Sequence, residues 1–202
     1  MRDINRRFLL LGVVLPVMIF GILTYQVWGE PGGILWDEPI LLAIRTTANP
    51  QLDAIAKTMT QFGWVVFPLV MVTVLILLKQ QFWRSLPYGL MTMLGSVIIS
   101  LTGKSLIHRP PPHLWNSPAS GANYSFPSGH AIYTMTAIAI LVILSWESKW
   151  RWLVLVVGGL FVLMIGWTRL YLGFHYPSDI LASWMISVAW AIGASLLVKI
   201  RI

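Results

Sequence analysis

Long runs of apolar residues, separated by short polar segments, constrain this chain more than any other feature of its sequence. A helix needs about 20 predominantly apolar residues to cross about 30 Å of hydrocarbon. Tryptophan and tyrosine cluster at the ends of the runs, as they do in the aromatic belts at membrane interfaces. We therefore predict an all-α, polytopic membrane protein with six transmembrane helices: Phe8–Trp28, Phe62–Leu78, Leu86–Thr102, Ala131–Trp146, Trp152–Trp167 and Ile180–Val198.

The composition supports this fold class and excludes several others. Of the 202 residues, 57% are hydrophobic and only 10% are charged, whereas soluble domains carry roughly 25% charged residues. The absence of cysteine excludes a disulfide framework, a thiolate nucleophile and a zinc–thiolate site. The formal net charge is +7, and the lysine and arginine residues lie at the ends of the apolar runs. This arrangement favours a membrane over a nucleic acid as partner. No linker long enough to separate domains is present, so we expect a single domain over residues 1–202.

The distribution of lysine and arginine predicts the orientation. Nine of these residues lie on the side of the two termini and the short loops, and five lie on the other side. By the positive-inside rule, both termini are cytoplasmic, and the longer loops face the periplasm or the cell exterior.

The segment between the first two apolar runs is too polar to cross a membrane. Leu52, Ile55, Ala56 and Met59 recur there at helical spacing, and Asn49-Pro50 is a suitable helix start. We predict a short amphipathic helix at the outer surface. A helix packed within a loop explains the pattern equally well.

The polar residues capable of chemistry concentrate at four predicted helix ends on the outward side. Ionisable residues near a bilayer are costly and suggest a function. In the predicted topology this side carries all four histidines, three further cations and one acid near them: His108, His113, His130, His175, Lys104, Arg109, Arg169 and Asp179.

The segment Ser125–His130 has the features of an anion site. Pro127 suits the first position of a helix, and the amides that follow it would face an anion at the positive end of the helix dipole. Gly129 allows close approach to the backbone, Ser128 adds a hydroxyl donor, and His130 can donate a proton. The alternative is a capped helix start with an interfacial histidine.

A second cluster follows the fifth predicted span. His175 and Asp179 are four residues apart, so the carboxylate can hold one imidazole nitrogen and leave the other as nucleophile or base. Pro177 marks a helix start, and the planar guanidinium of Arg169 suits a phosphoryl group. The alternative is a buried Arg–Asp pair beside a histidine without a role.

Lys104 and Arg109 form a third cluster, at the end of the third predicted span. They are on the wrong side to set the topology, so we expect them to bind an anion rather than act as a basic flank. Only one acid accompanies the histidines, which argues against a metal site, and no glycine-rich nucleotide loop is present. The three clusters together predict an anion-transfer site that uses histidine, with no metal and no cofactor.

These motifs resemble the type 2 phosphatidic acid phosphatase superfamily, the membrane lipid phosphatases related to vanadium haloperoxidases. The second family motif appears as Pro127-Ser128-Gly129-His130, and the third as Arg169, His175 and Asp179, with Thr168 where serine is usual. The resemblance covers roughly residues 53–183.

The first family motif departs from its usual spacing. Six residues usually separate its lysine from its arginine, but that position here is Pro111, and Arg109 follows Lys104 after only four residues. Either Arg109 reaches the phosphate from a shifted loop, or one phosphate contact is missing.

The resemblance implies a mechanism. His175 would attack phosphorus to form a phosphohistidine, Asp179 would orient it, and His130 would protonate the leaving oxygen and later help to activate water. The equatorial oxygens would be held by the remaining residues of the motifs: Lys104, Arg169, Ser128, the Gly129 backbone and Arg109.

We accordingly expect an integral membrane lipid phosphatase with its site at the outer face. Undecaprenyl diphosphate or phosphatidylglycerophosphate is the preferred substrate, and phosphatidic acid or diacylglycerol diphosphate is the alternative within the same class. Two other classes stay open: a carrier that binds a lipid phosphate without turnover, and a polytopic assembly protein whose polar helix ends have no role in chemistry.

Overall fold

The fold was analysed in a computed structural model, which describes residues 10–29, 34–62, 82–115 and 124–198. All regular elements within these ranges are helical. The second predicted span, Phe62–Leu78, lies outside the described residues except for its first residue.

A π-helical turn, Leu10–Val14, leads into the first of seven described α-helices. In chain order the helices are α1 (Leu15–Gly29), α2 (Asp37–Arg45), α3 (residues 50–62), α4 (Phe82–Ile107), α5 (Gly129–Ser145), α6 (Arg151–Tyr171) and α7 (Pro177–Leu197).

Four of the described helices contain stretches long and apolar enough to cross a membrane: Leu11–Trp28, Ser85–Ile107, Arg151–Tyr171 and Pro177–Leu197. These stretches correspond to the first, third, fifth and sixth predicted spans. The fourth predicted span forms α5, which is apolar but has only 17 residues. The all-helical membrane fold is thus confirmed, whereas the number of six spans stays a prediction.

Helix α5 lies at the centre of the bundle and packs against α4, α6 and α7, while α1 packs against α7. Large apolar side chains such as Leu94 of α4 and Leu160 of α6 point outward and are exposed. In a bilayer this costs nothing, because lipid tails are as apolar as leucine. Close packing inside the bundle depends on small residues: a Cβ at Gly158 would lie 2.6 Å from the side chain of Ile138.

Gly103 allows the end of α4 to contact the segment that leads into α5. A Cβ at Gly103 would lie only 2.5 Å from Cδ of Pro127, so a larger residue at this position would push the two elements apart. The next residue, Lys104, donates from Nζ to the carbonyl oxygen of Tyr124. This contact fixes the C-terminal end of α4 beside the N-terminal end of α5.

The predicted amphipathic segment is helical, and the end of α6 anchors it. The side chain of Asn49 accepts a hydrogen bond from the Leu52 amide at 2.9 Å and so caps the start of α3. The Tyr171 hydroxyl, on the last residue of α6, donates to Oδ1 of Asp53 at 2.7 Å. Ala56 is buried against Tyr171, whereas Ile55 is exposed. Helix α3 therefore lies across the end of α6, close to Arg169.

Candidate active site

His175 lies in the short connection between α6 and α7. Gly173 adopts a φ of 72°, a left-handed conformation that ends α6 and that glycine adopts without strain. Pro177 then occupies the first turn of α7, because its ring favours a helix start and needs no amide hydrogen there. The predicted helix start at Pro177 is confirmed, and the tight link leaves His175 buried between the two helix ends.

The hydrogen bond of His175 defines which ring nitrogen carries the proton. Nδ1 lies 2.7 Å from the carbonyl oxygen of Ser125. Since a carbonyl oxygen only accepts, Nδ1 must donate, and the neutral ring keeps its lone pair on Nε2. Burial lowers the pKa of His175 to about 4, from 6.5, so the ring is neutral near pH 7. A neutral imidazole with the lone pair on Nε2 is a competent nucleophile.

Asp179 acts on this ring at short range but without a hydrogen bond. Its Oδ2 lies 3.6 Å from Nδ1 of His175 and accepts from the Tyr176 amide at 2.8 Å instead. The sequence predicted that this carboxylate would hold the imidazole. The Ser125 carbonyl takes that place because it lies closer to Nδ1, and Asp179 contributes a buried negative charge beside the ring.

The Pro-Ser-Gly-His segment forms the start of α5. Gly129 begins the helix, and Ser128 caps it by accepting from the Ala131 amide at 3.4 Å. The prediction that Pro127 takes the first helical position is wrong, because Pro127 precedes the cap. The Ser128 amide donates to Oγ of Ser183 at 2.9 Å. The amide of Gly129 lies in the first turn, where no acceptor within the helix is available.

Arg169 lies in the last turn of α6 with its guanidinium fixed from two sides. Nη1 donates to Oγ1 of Thr60 at 2.8 Å, and the group stacks 3.9 Å from the centre of the Phe174 ring. Its buried Nε has no hydrogen-bond partner among the residues that the structure describes. Arg169 is thus oriented by neutral partners and makes no ion pair within that part of the chain.

The structure brings most of the predicted site residues together. Lys104 and Arg169 are close enough for their charges to act on both His130 and His175, and the two histidines also act on each other. The ends of α4, α5, α6 and α7 therefore meet at one end of the bundle, as the sequence predicted. The assembled groups are two cations, two imidazoles and one carboxylate, which together can bind a phosphoryl group beside a nucleophile and an acid.

Arg109 has different partners from those that the sequence suggested. It is fully buried, and its Nη2 donates to Oδ2 of Asp37 at 2.7 Å. Nη1 donates to Asp179 and, at 2.8 Å, to Oγ of Ser178. The guanidinium also stacks 3.9 Å from the centre of the Tyr176 ring. With two carboxylates and a hydroxyl on its terminal nitrogens, Arg109 is engaged within the protein rather than presented to a ligand.

Sequence reasoning did not identify several residues that shape the site. Ser125 lies in the segment Ser125–His130, but the sequence analysis predicted no role for it. It acts through its carbonyl oxygen, which accepts the hydrogen bond from His175. Asp37, Thr60, Ser178 and Ser183 make contacts that carried no local signal, since most join residues more than 50 positions apart in sequence.

An apolar groove between α5, α6 and α7 begins close to the site. It encloses about 410 Å³, and its lining includes Met135, Val142, Gly159, Trp184 and Val188. Met135 follows His130 by five residues, which corresponds to about 7.5 Å along a helix. The groove therefore extends from the neighbourhood of the histidines to the opposite end of α5, where Trp146 lines it.

Three curated proteins show sequence similarity to this chain. An undecaprenyl-diphosphatase of Sulfolobus acidocaldarius is 34% identical over 64 residues, which cover 32% of this chain and 29% of that protein. Undecaprenyl-diphosphatase BcrC of Bacillus subtilis is 25% identical, over 69% of this chain and 72% of its own length. Phosphatidylglycerophosphatase B of Bacillus subtilis is 28% identical, over 75% of this chain and 78% of its own length.

Solved structures show the same fold. The crystal structure of a transmembrane PAP2-type phosphatidylglycerolphosphate phosphatase from Bacillus subtilis matches with a TM-score of 0.77 at 20% identity, over 92% of this chain and 95% of that one. The crystal structure of Aquifex aeolicus LpxE matches with a TM-score of 0.64 at 18% identity, over 81% of this chain and 96% of that one.

The family model of the PAP2 superfamily matches residues 64–202, more than half of the sequence and the part that contains all three motifs. The chain belongs to the PAP2 superfamily.

Proposed function

We propose that this chain, a membrane lipid phosphatase of the PAP2 superfamily, transfers a phosphoryl group from its lipid to Nε2 of His175 and then to water. The observation that carries the proposal is the hydrogen bond from Nδ1 to the Ser125 carbonyl, because it leaves the lone pair of a neutral, buried imidazole on Nε2. The two nearby cations, Lys104 and Arg169, supply the positive charge that a phosphate requires.

In the first step, Nε2 of His175 forms a bond to phosphorus as the bond from phosphorus to the leaving oxygen breaks. His130 donates a proton to that oxygen, which leaves as a lipid alcohol from a monoester or as a lipid monophosphate from a diphosphate. The buried carboxylate of Asp179 stabilises the positive charge that develops on the imidazole.

In the second step, water attacks the phosphohistidine from the side that the leaving group has vacated. His130, now neutral, accepts a proton from the water as the new P–O bond forms. The Nε2–P bond breaks, inorganic phosphate leaves, and His175 returns to its neutral form.

Lys104, Arg169, the Ser128 hydroxyl and the Gly129 amide hold the phosphoryl oxygens in this proposal. Donors fixed in advance stabilise the charge that spreads over these oxygens in the transition state, and the loss of one such donor costs about 10²–10³ in rate. Thr60 and Phe174 support this role by fixing Arg169 before substrate binds.

The lipid is undecaprenyl diphosphate or phosphatidylglycerophosphate in this proposal. The names of the relatives support both, since two of them are undecaprenyl-diphosphatases and one is a phosphatidylglycerophosphatase. The apolar groove that begins at Met135 offers a place for the first part of the lipid chain. Phosphatidic acid and diacylglycerol diphosphate are the alternatives within the same class.

The site faces the periplasm or the cell exterior, with both termini in the cytoplasm, in this proposal. The support is the lysine and arginine count, nine against five, with the smaller number on the side of the site. Labelling of single cysteines by a membrane-impermeant reagent tests it, because the chain has no native cysteine. A cysteine introduced at the exposed Leu35 should react in intact cells. Labelling only after lysis would show that the orientation is the opposite of the proposed one.

Phosphate release by the purified protein tests the function. We expect release from at least one of undecaprenyl diphosphate, phosphatidylglycerophosphate and phosphatidate, and inhibition by orthovanadate, which mimics pentacoordinate phosphorus. His175→Ala should abolish release, whereas the same change at the exposed His113 should not. Saturable binding of these lipids without release would instead support a carrier, and full activity of His175→Ala would reject the nucleophile.

A further inference from the structure

Asp37 and Arg109 form a fully buried ion pair in contact with Asp179, and no recognised motif contains Asp37. Nη2 of Arg109 lies 2.7 Å from Oδ2 of Asp37, and both side chains have no exposed surface. Removing charges from water costs several kcal/mol per ion, so a buried pair of this kind adds little stability compared with apolar residues. Its position in contact with Asp179 points to a role in the chemistry.

Asp37 holds the first turn of α7 as well as Arg109. Oδ1 accepts from the Ser178 amide at 2.9 Å, and Oδ2 accepts from the Ser178 hydroxyl at 2.6 Å. Ser178 is the second residue of α7, and its amide is one of those that the helix itself leaves without an acceptor. The carboxylate of α2 therefore caps α7 from outside, one residue before Asp179.

The network also determines how much negative charge faces the nucleophile. Asp37 and Asp179 share the single guanidinium of Arg109, so the three groups carry a net charge of −1. If Asp37 were neutral, Arg109 would pair with Asp179 alone and the net charge would be zero. Less negative charge would then be available to balance the positive charge that forms on His175 during phosphoryl transfer.

The negative charge of Asp179 is important because most other charged groups around His175 are cations. The titratable and charged groups that face it from the packed helices are Lys104 of α4, His130 of α5, Arg169 of α6 and Asp179 of α7. Asp179 is the only acid among these four groups. Its effective charge depends on how the guanidinium of Arg109 is shared between Asp179 and Asp37.

We propose that Asp37 is a positioning residue of the phosphatase: it holds Arg109 between two carboxylates, so that Arg109 does not neutralise Asp179 and the negative charge of Asp179 stays available to His175. This proposal rests on the function proposed above. It also assigns Arg109 to the ion pairs with Asp37 and Asp179 rather than to the phosphate.

The test begins with Asp37→Asn, which keeps the size of the side chain and removes its charge. We expect kcat to fall by about 10- to 100-fold, the cost of misplacing a catalytic group by a fraction of an ångström to one ångström. KM should stay close to that of the unmodified protein, because the residues proposed to hold phosphate are unchanged. The matched control is Glu38→Gln, the same loss of charge at the next residue, which is exposed.

The double variant Asp37→Asn with Arg109→Met separates this role from a purely structural one. Removing the guanidinium frees the charge of Asp179, so we expect kcat of the double variant to exceed that of Asp37→Asn. A purely structural role predicts the opposite, because two disruptions of one buried network add. A kcat for the double variant at or below that of Asp37→Asn overturns the proposal.

A second measurement needs no turnover and so separates failure of this proposal from failure of the proposed function. In ¹⁵N spectra of the histidine rings, the titration midpoint of His175 should move to lower pH in Asp37→Asn and return in the double variant. If Asp37→Asn does not fold, Ser178→Ala tests the same link by removing the hydroxyl shared by Asp37 and Arg109. An unchanged midpoint together with an unchanged kcat overturns the proposal.

Discussion

Nδ1 of His175 lies 2.7 Å from the carbonyl oxygen of Ser125, and this contact joins two sequence motifs separated by 50 residues. The acceptor is part of the backbone that leads into α5, so the tautomer of the proposed nucleophile depends on the same segment that presents Ser128, Gly129 and His130. The two motifs therefore act as one unit, and a shift of the segment before α5 would disturb nucleophile and phosphate donors together.

The first prediction concerns the protonation of His175. Burial lowers its pKa to about 4, so we expect the ring to stay neutral, with its proton on Nδ1, down to about pH 5. The unfolded chain binds this proton near pH 6.5, so the stability of the fold should decrease as the pH falls from 6.5 toward 4. ¹⁵N spectra of the four histidines in detergent micelles measure the midpoint.

The assignment of that signal uses His175→Asn, which should remove it and leave the other three. A midpoint near 6.5, the ordinary value for histidine, would show that the ring is accessible to water and would contradict the buried site.

The sequence predicted the helices well wherever apolar length decides the outcome. Most of the described helices that match predicted spans differ from them by a few residues, but α4 extends from Phe82 to Ile107, nine residues more than the predicted Leu86–Thr102. Polar residues such as Lys104 continue the helix because they lie at its end, where the site satisfies them. Hydropathy alone does not detect such an extension.

The site was predictable in its local motifs and not in its long-range contacts. His175, Asp179 and Pro177 follow from helical spacing and proline geometry within a few residues. Arg109 was expected to bind an anion because a cation on that side has no role in setting the topology. Its partner Asp37 is 72 positions away and pairs with it through packing of α2 against the end of the bundle, which no local pattern encodes.

The second prediction concerns Gly129. A Cβ there would meet Oγ of Ser100 at 3.4 Å, an ordinary contact, so the protein itself has room for a methyl group. Alanine also favours a helix over glycine by up to about 1 kcal/mol. We expect Gly129→Ala to fold with unchanged or higher thermal stability but to lose phosphate release, because the methyl group obstructs approach of the anion to the backbone.

Gly103→Ala is the contrasting variant for this experiment. Its Cβ would lie 2.5 Å from Pro127, so it should lower the melting temperature in detergent. Unimpaired phosphate release by Gly129→Ala would exclude close contact between substrate and this part of the backbone.

The third prediction concerns the support of Arg169 by Thr60. Valine has nearly the same shape as threonine but cannot accept the hydrogen bond from Nη1. We expect Thr60→Val to raise KM for a lipid phosphate by about tenfold, the value of one hydrogen bond to a charged group. Thr47→Val, on an exposed threonine whose hydroxyl bonds only the nearby Ile44 carbonyl among the described residues, should leave KM unchanged. Equal KM values for the two variants would show that Arg169 needs no support from α3.

The fourth prediction concerns the groove between α5, α6 and α7 as the place of the lipid chain. A Cβ at Gly159 would meet no atom within 4 Å, and this residue lines the groove, so a larger side chain has open space at its first atom. We expect Gly159→Leu to raise KM for a long-chain substrate and to leave KM for a short-chain, water-soluble phosphate unchanged, because only the long chain reaches the filled space. Gly21 of α1 is equally unobstructed but does not line the groove, so Gly21→Leu controls for the added bulk. Equal effects of Gly159→Leu on both substrates would show that the chain lies elsewhere on the bundle.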